Sequence, residues 1–140
     1  MAIDDFRGRY FFLSNFSPSP IRHGGILYPT VEHAYQAGKI LDMEIRRALA
    51  ICPTPGDAKK MGRKLKMRDD WDEVKVPRMR TCLKKKFQDP SLRRKLLETG
   101  DQELIEGNTW GDTFWGVYRG KGKNMLGILL MEVRRDCQDS

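Results

Sequence analysis

The sequence predicts an α+β domain, predominantly helical, with a few short strands. Two patterns point there. Between residues 43 and 136, apolar residues recur at spacings of three and four, the signature of helices with one buried face. Elsewhere short apolar runs are bounded by Gly and Pro, as in "IRHGGILY". The chain has no internal repeat, low-complexity tract or linker, so its 140 residues are expected to form a single domain over 1–140. A chain of that length buries roughly 68% of its unfolded surface.

Residues 9–16, "RYFFLSNF", read as a strand entering a polar turn. Pro18 and Pro20 forbid helix in the next segment. "IRHGGILY" is a hairpin around Gly24-Gly25. Helix is expected after Pro29, with Thr30 as N-cap, to about Leu41, and again over "MEIRRALAI". "PTPG" is a turn, and Asp57 is the expected cap of a helix carrying Ala58, Met61 and Leu65 on one stripe. From Asp72, the apolar residues Val76, Met79, Leu83 and Phe87 continue at helical spacing, with Pro77 in the first turn. Pro90 restarts a helix that Gly100 ends. "QELIEG" is a short strand, and the last helix, "MLGILLMEVRRD", turns Leu126, Leu129, Leu130 and Val133 inward.

The composition narrows the function classes. No run of about 18 apolar residues predicts a membrane span. The N-terminus lacks the apolar core of a secretory signal, so a cytoplasmic protein is expected. Cys52, Cys82 and Cys137 are odd in number and widely spaced, and only His23 and His33 could join them. Neither a disulfide framework nor a structural zinc site is expected. Residues 59–95 hold 15 of the 26 Lys/Arg but 5 of the 19 acidic residues. Such a segment suits phosphate or nucleic acid, or else a solvated helix exterior, as the lysines of "CLKKKF" suggest.

Three polar clusters carry more than a core requires. In "YPTVEHAYQAGK" (28–39), Glu32, Gln36 and Lys39 are four and three residues apart, on one helical stripe. It either faces water or lines a site. The small neighbours Ala34, Ala37 and Gly38 and the flanking rings of Tyr28 and Tyr35 favour a site. Residues 106–124 form a long irregular loop that sets Glu106 and Asp112 among Trp110, Phe114, Trp115 and Tyr118. An acid beside aromatics is partly desolvated and suited to proton transfer. In "FRGRYFFLSNF", Arg7 and Arg9 bracket Gly8, and Ser14 and Asn15 offer short polar groups suited to a phosphate.

Six motifs stand in order along nearly the whole chain. They are "FRG" with "FLSNF", "YPTVEHAYQAGK", "WDEVK" after an acidic pair, "LxxTG…LIE", "WGDxFWG" and "GKNMLGxxLMEVR". Together they closely resemble the NADAR or YbiA-like family, which includes N-glycosidases. The resemblance implies a YbiA-like fold and cleavage of an N-glycosidic bond to ribose. The substrate is either a phosphoribosylamino-pyrimidine of riboflavin synthesis or an ADP-ribosylated guanine in nucleic acid. It also implies catalytic positions at Glu32, Trp71 and Asp112, and matches Lys39 to a lysine that attacks the anomeric carbon.

Residue chemistry agrees with that expectation. Breaking an anomeric C–N bond builds positive charge on the sugar and negative charge on the leaving nitrogen, so a carboxylate and a proton donor are needed. Glu32 would manage protons, Lys39 would act as nucleophile through a Schiff base, and Asp112 would orient ribose or water. Alternatively Glu32 and Asp112 hydrolyse the bond directly. Trp71 and Trp115 would wall the ribose and base, while Arg7, Ser14 and Asn15 would hold phosphate and Gln36 a hydroxyl. Gly8, Phe12, Tyr28, Tyr35, Trp110, Gly116 and Asn124 complete the expected substrate-binding set. No metal or cofactor is required. The competing readings are an ADP-ribose or NAD-binding module without turnover and a nucleic-acid-binding protein using the basic helices. Protein partners are not indicated.

Overall fold

A computed structural model describes residues 1–140. Its contacts group into two compact units, Asn15–Lys86 and the pair of segments Met1–Ser14 and Phe87–Ser140. The fold is mixed α+β and mostly helical.

Unit Asn15–Lys86 begins with a hairpin. Strands β2 (Ile21–His23) and β3 (Ile26–Tyr28) pair antiparallel, with Ile21 opposite Tyr28 and His23 opposite Ile26. Gly24 and Gly25 both have positive φ, +58° and +81°, as a two-residue hairpin turn requires. Four helices follow: α1 (Val31–Ala37), α2 (Met43–Ala50), α3 (Pro55–Arg63) and α4 (Trp71–Lys86). Val31, Ala34, Leu49, Ala58, Met79, Cys82 and Leu83 are buried with Ile21 and Tyr28. Burying each larger apolar side chain contributes about 1.5–3 kcal/mol.

Capping fixes the starts of these helices. Thr30 accepts from the His33 N–H, and Asp42 from the N–H groups of Glu44 and Ile45. Helix α3 starts two residues before the expected cap Asp57. Thr54 is the N-cap, accepting from the Asp57 N–H at 3.0 Å, and Pro55 occupies the first turn. Proline loses nothing there, because that N–H has no helical partner anyway. So "PTPG" is half turn, half helix.

Pro77 departs from expectation the other way. Helix α4 begins at Trp71, which leaves Pro77 inside it, where the Glu73 carbonyl receives no N–H. Both residues are exposed, so water can take up that carbonyl. Met79, Leu83 and Phe87 are buried as expected, but Arg78 and Lys86 are buried as well. Lys86 is therefore no part of a helix exterior: it is 1% exposed and donates to Ser17 Oγ at 2.9 Å. Burial pushes its amine down to about 7.

In the other unit, β1 (Ala2–Ile3) pairs parallel with β4 (Glu103–Leu104), and helices α5 (Pro90–Glu98) and α6 (Met125–Gln138) pack together. Leu96, Leu104, Leu126, Leu129, Leu130 and Val133 are all buried. Arg134 Nη1 donates to Thr99 Oγ1 at 2.8 Å, while that hydroxyl donates to the Leu96 carbonyl at the end of α5. Gly100 follows with φ +64°, in the left-handed conformation expected of a terminator. The run expected as a strand at 9–16 is instead a 3-10 helix, Gly8–Leu13. Its Tyr10 N–H bonds to Arg7 O and the Ser14 N–H to Phe11 O, so the backbone groups are spent locally. Consecutive Phe12 and Leu13 are buried, which a strand with alternating faces would not do.

Candidate active site

The stripe on α1 is held from both ends. At the start, the buried His33 ring bridges Thr30 Oγ1 (Nδ1, 2.8 Å) and the Cys52 carbonyl (Nε2, 3.0 Å). With Nε2 donating to that carbonyl and Nδ1 paired with the Thr30 hydroxyl, both ring nitrogens are bonded within the fold, making His33 a structural pin. The Glu32 N–H donates to the Asn15 carbonyl at 3.1 Å.

The far end stops short of the expected Leu41. Arg78 donates from Nε and Nη2 to the Ala34 carbonyl at 3.1 and 2.8 Å. Arg46 Nε donates to the carbonyls of Ala37 and Ile40 at 3.1 and 2.9 Å. These guanidinium groups add charged donors to the carbonyls at the helix end, where Ala34 and Ala37 otherwise accept only long bonds of 3.3 and 3.4 Å from the N–H groups of Gly38 and Ile40. Arg78 passes so close that a Cβ on Gly38 would lie 2.8 Å from its Cγ. Lys39 is reached by one tight turn, its N–H bonding to the Gln36 carbonyl at 3.1 Å. Tyr28, 1% exposed, belongs with this arginine pair; burial raises its phenol, opposed by both arginines. Arg78 Nη1 also donates to the His23 ring, whose pKa is driven down to about 4 by burial and then by Arg78, Lys85 and Arg46.

Between these ends the chemistry collects. Glu32 and Gln36 are 7% and 3% exposed, and Gln36 Nε2 donates to Glu32 Oε2 at 2.6 Å. A charge-assisted bond of this kind contributes about 1.5–3 kcal/mol. Lys39 is half-buried, with Nζ 5.9 Å from the Tyr35 ring centroid. Tyr35 in turn meets Trp71 at 5.2 Å, tilted by 55°. The Lys39 carbonyl accepts from Arg68 N at 2.7 Å, and the Arg68 carbonyl from Trp71 N at 3.1 Å, tying amine and indole to one backbone path. Burial lowers the Lys39 pKa below the ordinary 10.5, Glu32 opposes this, and Arg63 and Lys59 add to it. Unit Asn15–Lys86 thus gathers Glu32, Tyr35, Gln36, Lys39 and Trp71. Asn15 belongs to it too: Nδ2 reaches only Met79 Sδ, at 3.6 Å, and its buried Oδ1 has no partner.

The other sequence-predicted residues belong to the second unit. Asp112 Oδ1 accepts from the N–H groups of Phe114 and Trp115 at 3.0 and 2.9 Å. Asn108, unremarked in the sequence, locks this turn: its Oδ1 accepts from Asp112 N at 3.0 Å and its Nδ2 donates to Asp112 O at 2.9 Å. A Cβ on Gly116 would run into Glu106 and Asn108, so only glycine fits there. Trp110 is 59% exposed, and Trp115 packs edge-on to Phe114 at 4.9 Å. Asn124 sits at φ +55°, and its amide bonds the Glu106 N–H and the Leu104 carbonyl, a structural use of that side chain. Arg7 is paired with Asp5 at 2.8 Å and exposed, beside Gly8 at φ +58°, while Phe12 is buried and Ser14 ends the 3-10 helix. No three His, Cys, Asp or Glu side chains are grouped to hold a metal, and no helix is long and apolar enough to cross a membrane.

The NADAR domain matches residues 5–138. This chain belongs to the NADAR family. It is 43% identical over 129 residues to the N-glycosidase YbiA of Escherichia coli K12, covering 89% of this chain and 80% of that one. An N-glycosidase of Nostoc punctiforme is 40% identical over 137 residues, covering 93% and 87%. A riboflavin biosynthesis protein of Vibrio vulnificus is 37% identical over 132 residues, 91% of this chain and 36% of that longer one. The solution structure of Escherichia coli YbiA superposes with a TM-score of 0.84 at 38% identity, over 99% of this chain and 86% of that one. Like its N-glycosidase relatives, this NADAR protein is a hydrolase that acts on N-glycosyl compounds.

Proposed function

We propose that this N-glycosidase cleaves the bond between ribose and base in a phosphoribosylated pyrimidine amine. The same chemistry would serve an ADP-ribosylated base. The observation that carries the reading is the half-buried Lys39, its pKa lowered, on one short segment with the buried Glu32 and Gln36. The names of the Escherichia coli and Vibrio vulnificus relatives support the bond type and the small-molecule class respectively.

In the proposed reaction, neutral Lys39 Nζ adds to the anomeric carbon. The C–N bond to the base breaks, its electron pair leaves on the base nitrogen, and the Glu32 carboxylate relays one proton from the adduct's Nζ to that nitrogen. As the sugar opens, the ring oxygen takes the second Nζ proton, leaving an imine at the anomeric carbon. Water then adds across the imine, its hydrogens ending on Nζ as the carbon–Nζ bond breaks, which regenerates the neutral amine and the sugar. The net change is one water consumed, one base and one sugar released. Tyr35 and Trp71 supply an aromatic wall for the sugar, and Asn15 offers a polar group to its substituents. Asp112 is proposed, on the family resemblance, as a second carboxylate that orients ribose or water.

Turnover of a phosphoribosylaminopyrimidine, assayed beside an ADP-ribosylated oligonucleotide, tests the substrate. Preferential release of the free pyrimidine amine is expected. Turnover of the oligonucleotide alone would assign the nucleic-acid class, and binding of both without turnover would overturn the reading.

A further inference from the structure

Helix α3 carries a glycine, Gly62, in its last turn. It is buried against Gln36 of α1. A Cβ built at Gly62 would run into Gln36 Oε1 and lie 2.8 Å from its Cδ. That oxygen is buried and has no hydrogen-bond partner, while the other end of the amide donates to Glu32 Oε2 at 2.6 Å. One end of the carboxamide is therefore spent on the carboxylate, and the other is stowed against bare backbone where a side chain would stand.

We propose that Gly62 and Gln36 are positioning residues for the Glu32 carboxylate. The space left at Gly62 holds the Gln36 amide in the one orientation that donates to Glu32, and this fixes where the carboxylate lies. The Gln36 carbonyl lies against α3 and its amide group faces the acid. The inference rests on the proton role proposed for Glu32 and extends it to a helix outside the motif that carries Glu32.

The test is steady-state turnover of a phosphoribosylaminopyrimidine by Gly62→Ala, Gln36→Ala, the double variant and Gln36→Met, with melting curves for each. A carboxylate displaced by about an ångström loses on the order of 10–100-fold in rate. Gly62→Ala is expected to lose that much kcat with KM within about threefold, the split that separates transition-state from ground-state effects. In the double variant the added methyl enters space vacated by the glutamine, so it should be no slower than Gln36→Ala alone. Wild-type kcat in Gly62→Ala, or losses that multiply in the double variant, would overturn the proposal. Should Gly62→Ala fail to fold, Gln36→Met keeps the chain length without the donor; a comparable kcat loss supports the inference and full kcat overturns it. Glu32→Gln separates the two layers: if it is active, the proton role itself fails, whereas an inactive Glu32→Gln beside a fully active Gln36→Met defeats only the positioning.

Discussion

Helix α1 and the loop at 106–124 both bear carboxylates that the sequence singles out, and they hold them by opposite means. On α1 the helix sets the spacing of Glu32 and Gln36, and one tight turn past its end carries Lys39. Thr30, His33, Arg46 and Arg78 then bind its end groups and fix the helix. In the loop, no repeat of backbone geometry exists. Asp112 is held by its own acceptance of two backbone N–H groups and by Asn108, which bonds both its N–H and its carbonyl. In the helix, side chains are free for chemistry because the backbone satisfies itself. In the loop, side chains must first satisfy the backbone.

The largest expected effects break that comparison at its carboxylates. Glu32→Gln keeps an acceptor for Gln36 and should fold normally while losing about 10²–10⁴-fold in kcat. Asp112→Asn likewise keeps the acceptor for Phe114 and Trp115, so its effect on kcat isolates charge from loop structure. A folded Asp112→Asn with full turnover would leave that acid a purely structural role.

Next come the supports. Arg78→Met removes both charge-assisted bonds to the Ala34 carbonyl, which keeps only the 3.3 Å bond from the Gly38 N–H, and should cost about 2–3 kcal/mol in denaturant unfolding. A smaller loss, about 1 kcal/mol, is expected for Asn108→Ala, which strips partners from a half-buried turn. Thr30→Ala, the loss of a cap, should cost about 1 kcal/mol. Equal losses for Asn108→Ala and an exposed loop substitution would show that the loop is not organised as described.

What the sequence revealed follows the same division. The hairpin, the caps at Thr30 and the buried stripe of α6 depend on neighbours within four residues, and they were legible. Residue identity alone missed what depends on distant contacts. The aromatic run at 9–16 has strand propensity, but with no strand paired to it the segment closes its bonds locally as a 3-10 turn. Lys86 looked solvent-facing, yet it follows Cys82 by one turn on the buried stripe of α4. Arg46 and Arg78 were hidden among many basic residues, and nothing local marks an arginine that will cap another helix. Gly38 and Gly62 were the available signals, because a glycine in or beside a helix asks what passes close to it.

The smallest effect concerns pH. Lys39 attacks as the neutral amine, and its lowered pKa enlarges the neutral fraction below the ordinary 10.5. The rate of adduct formation should therefore rise with pH and level off below that value. Arg63 contributes to the lowering, so Arg63→Ala should move the rise to higher pH, less so in about 1 M salt where exposed charges are screened. An unmoved profile would remove Arg63 from the account.

Covalent trapping at position 39 tests the central claim most directly. The enzyme is mixed with a phosphoribosylaminopyrimidine and borohydride, digested, and mapped by mass spectrometry. A reduced sugar phosphate on the Lys39 peptide, absent in Lys39→Ala, is the expected result. Undiminished adduct in Lys39→Ala, or rapid turnover by that variant, would contradict it.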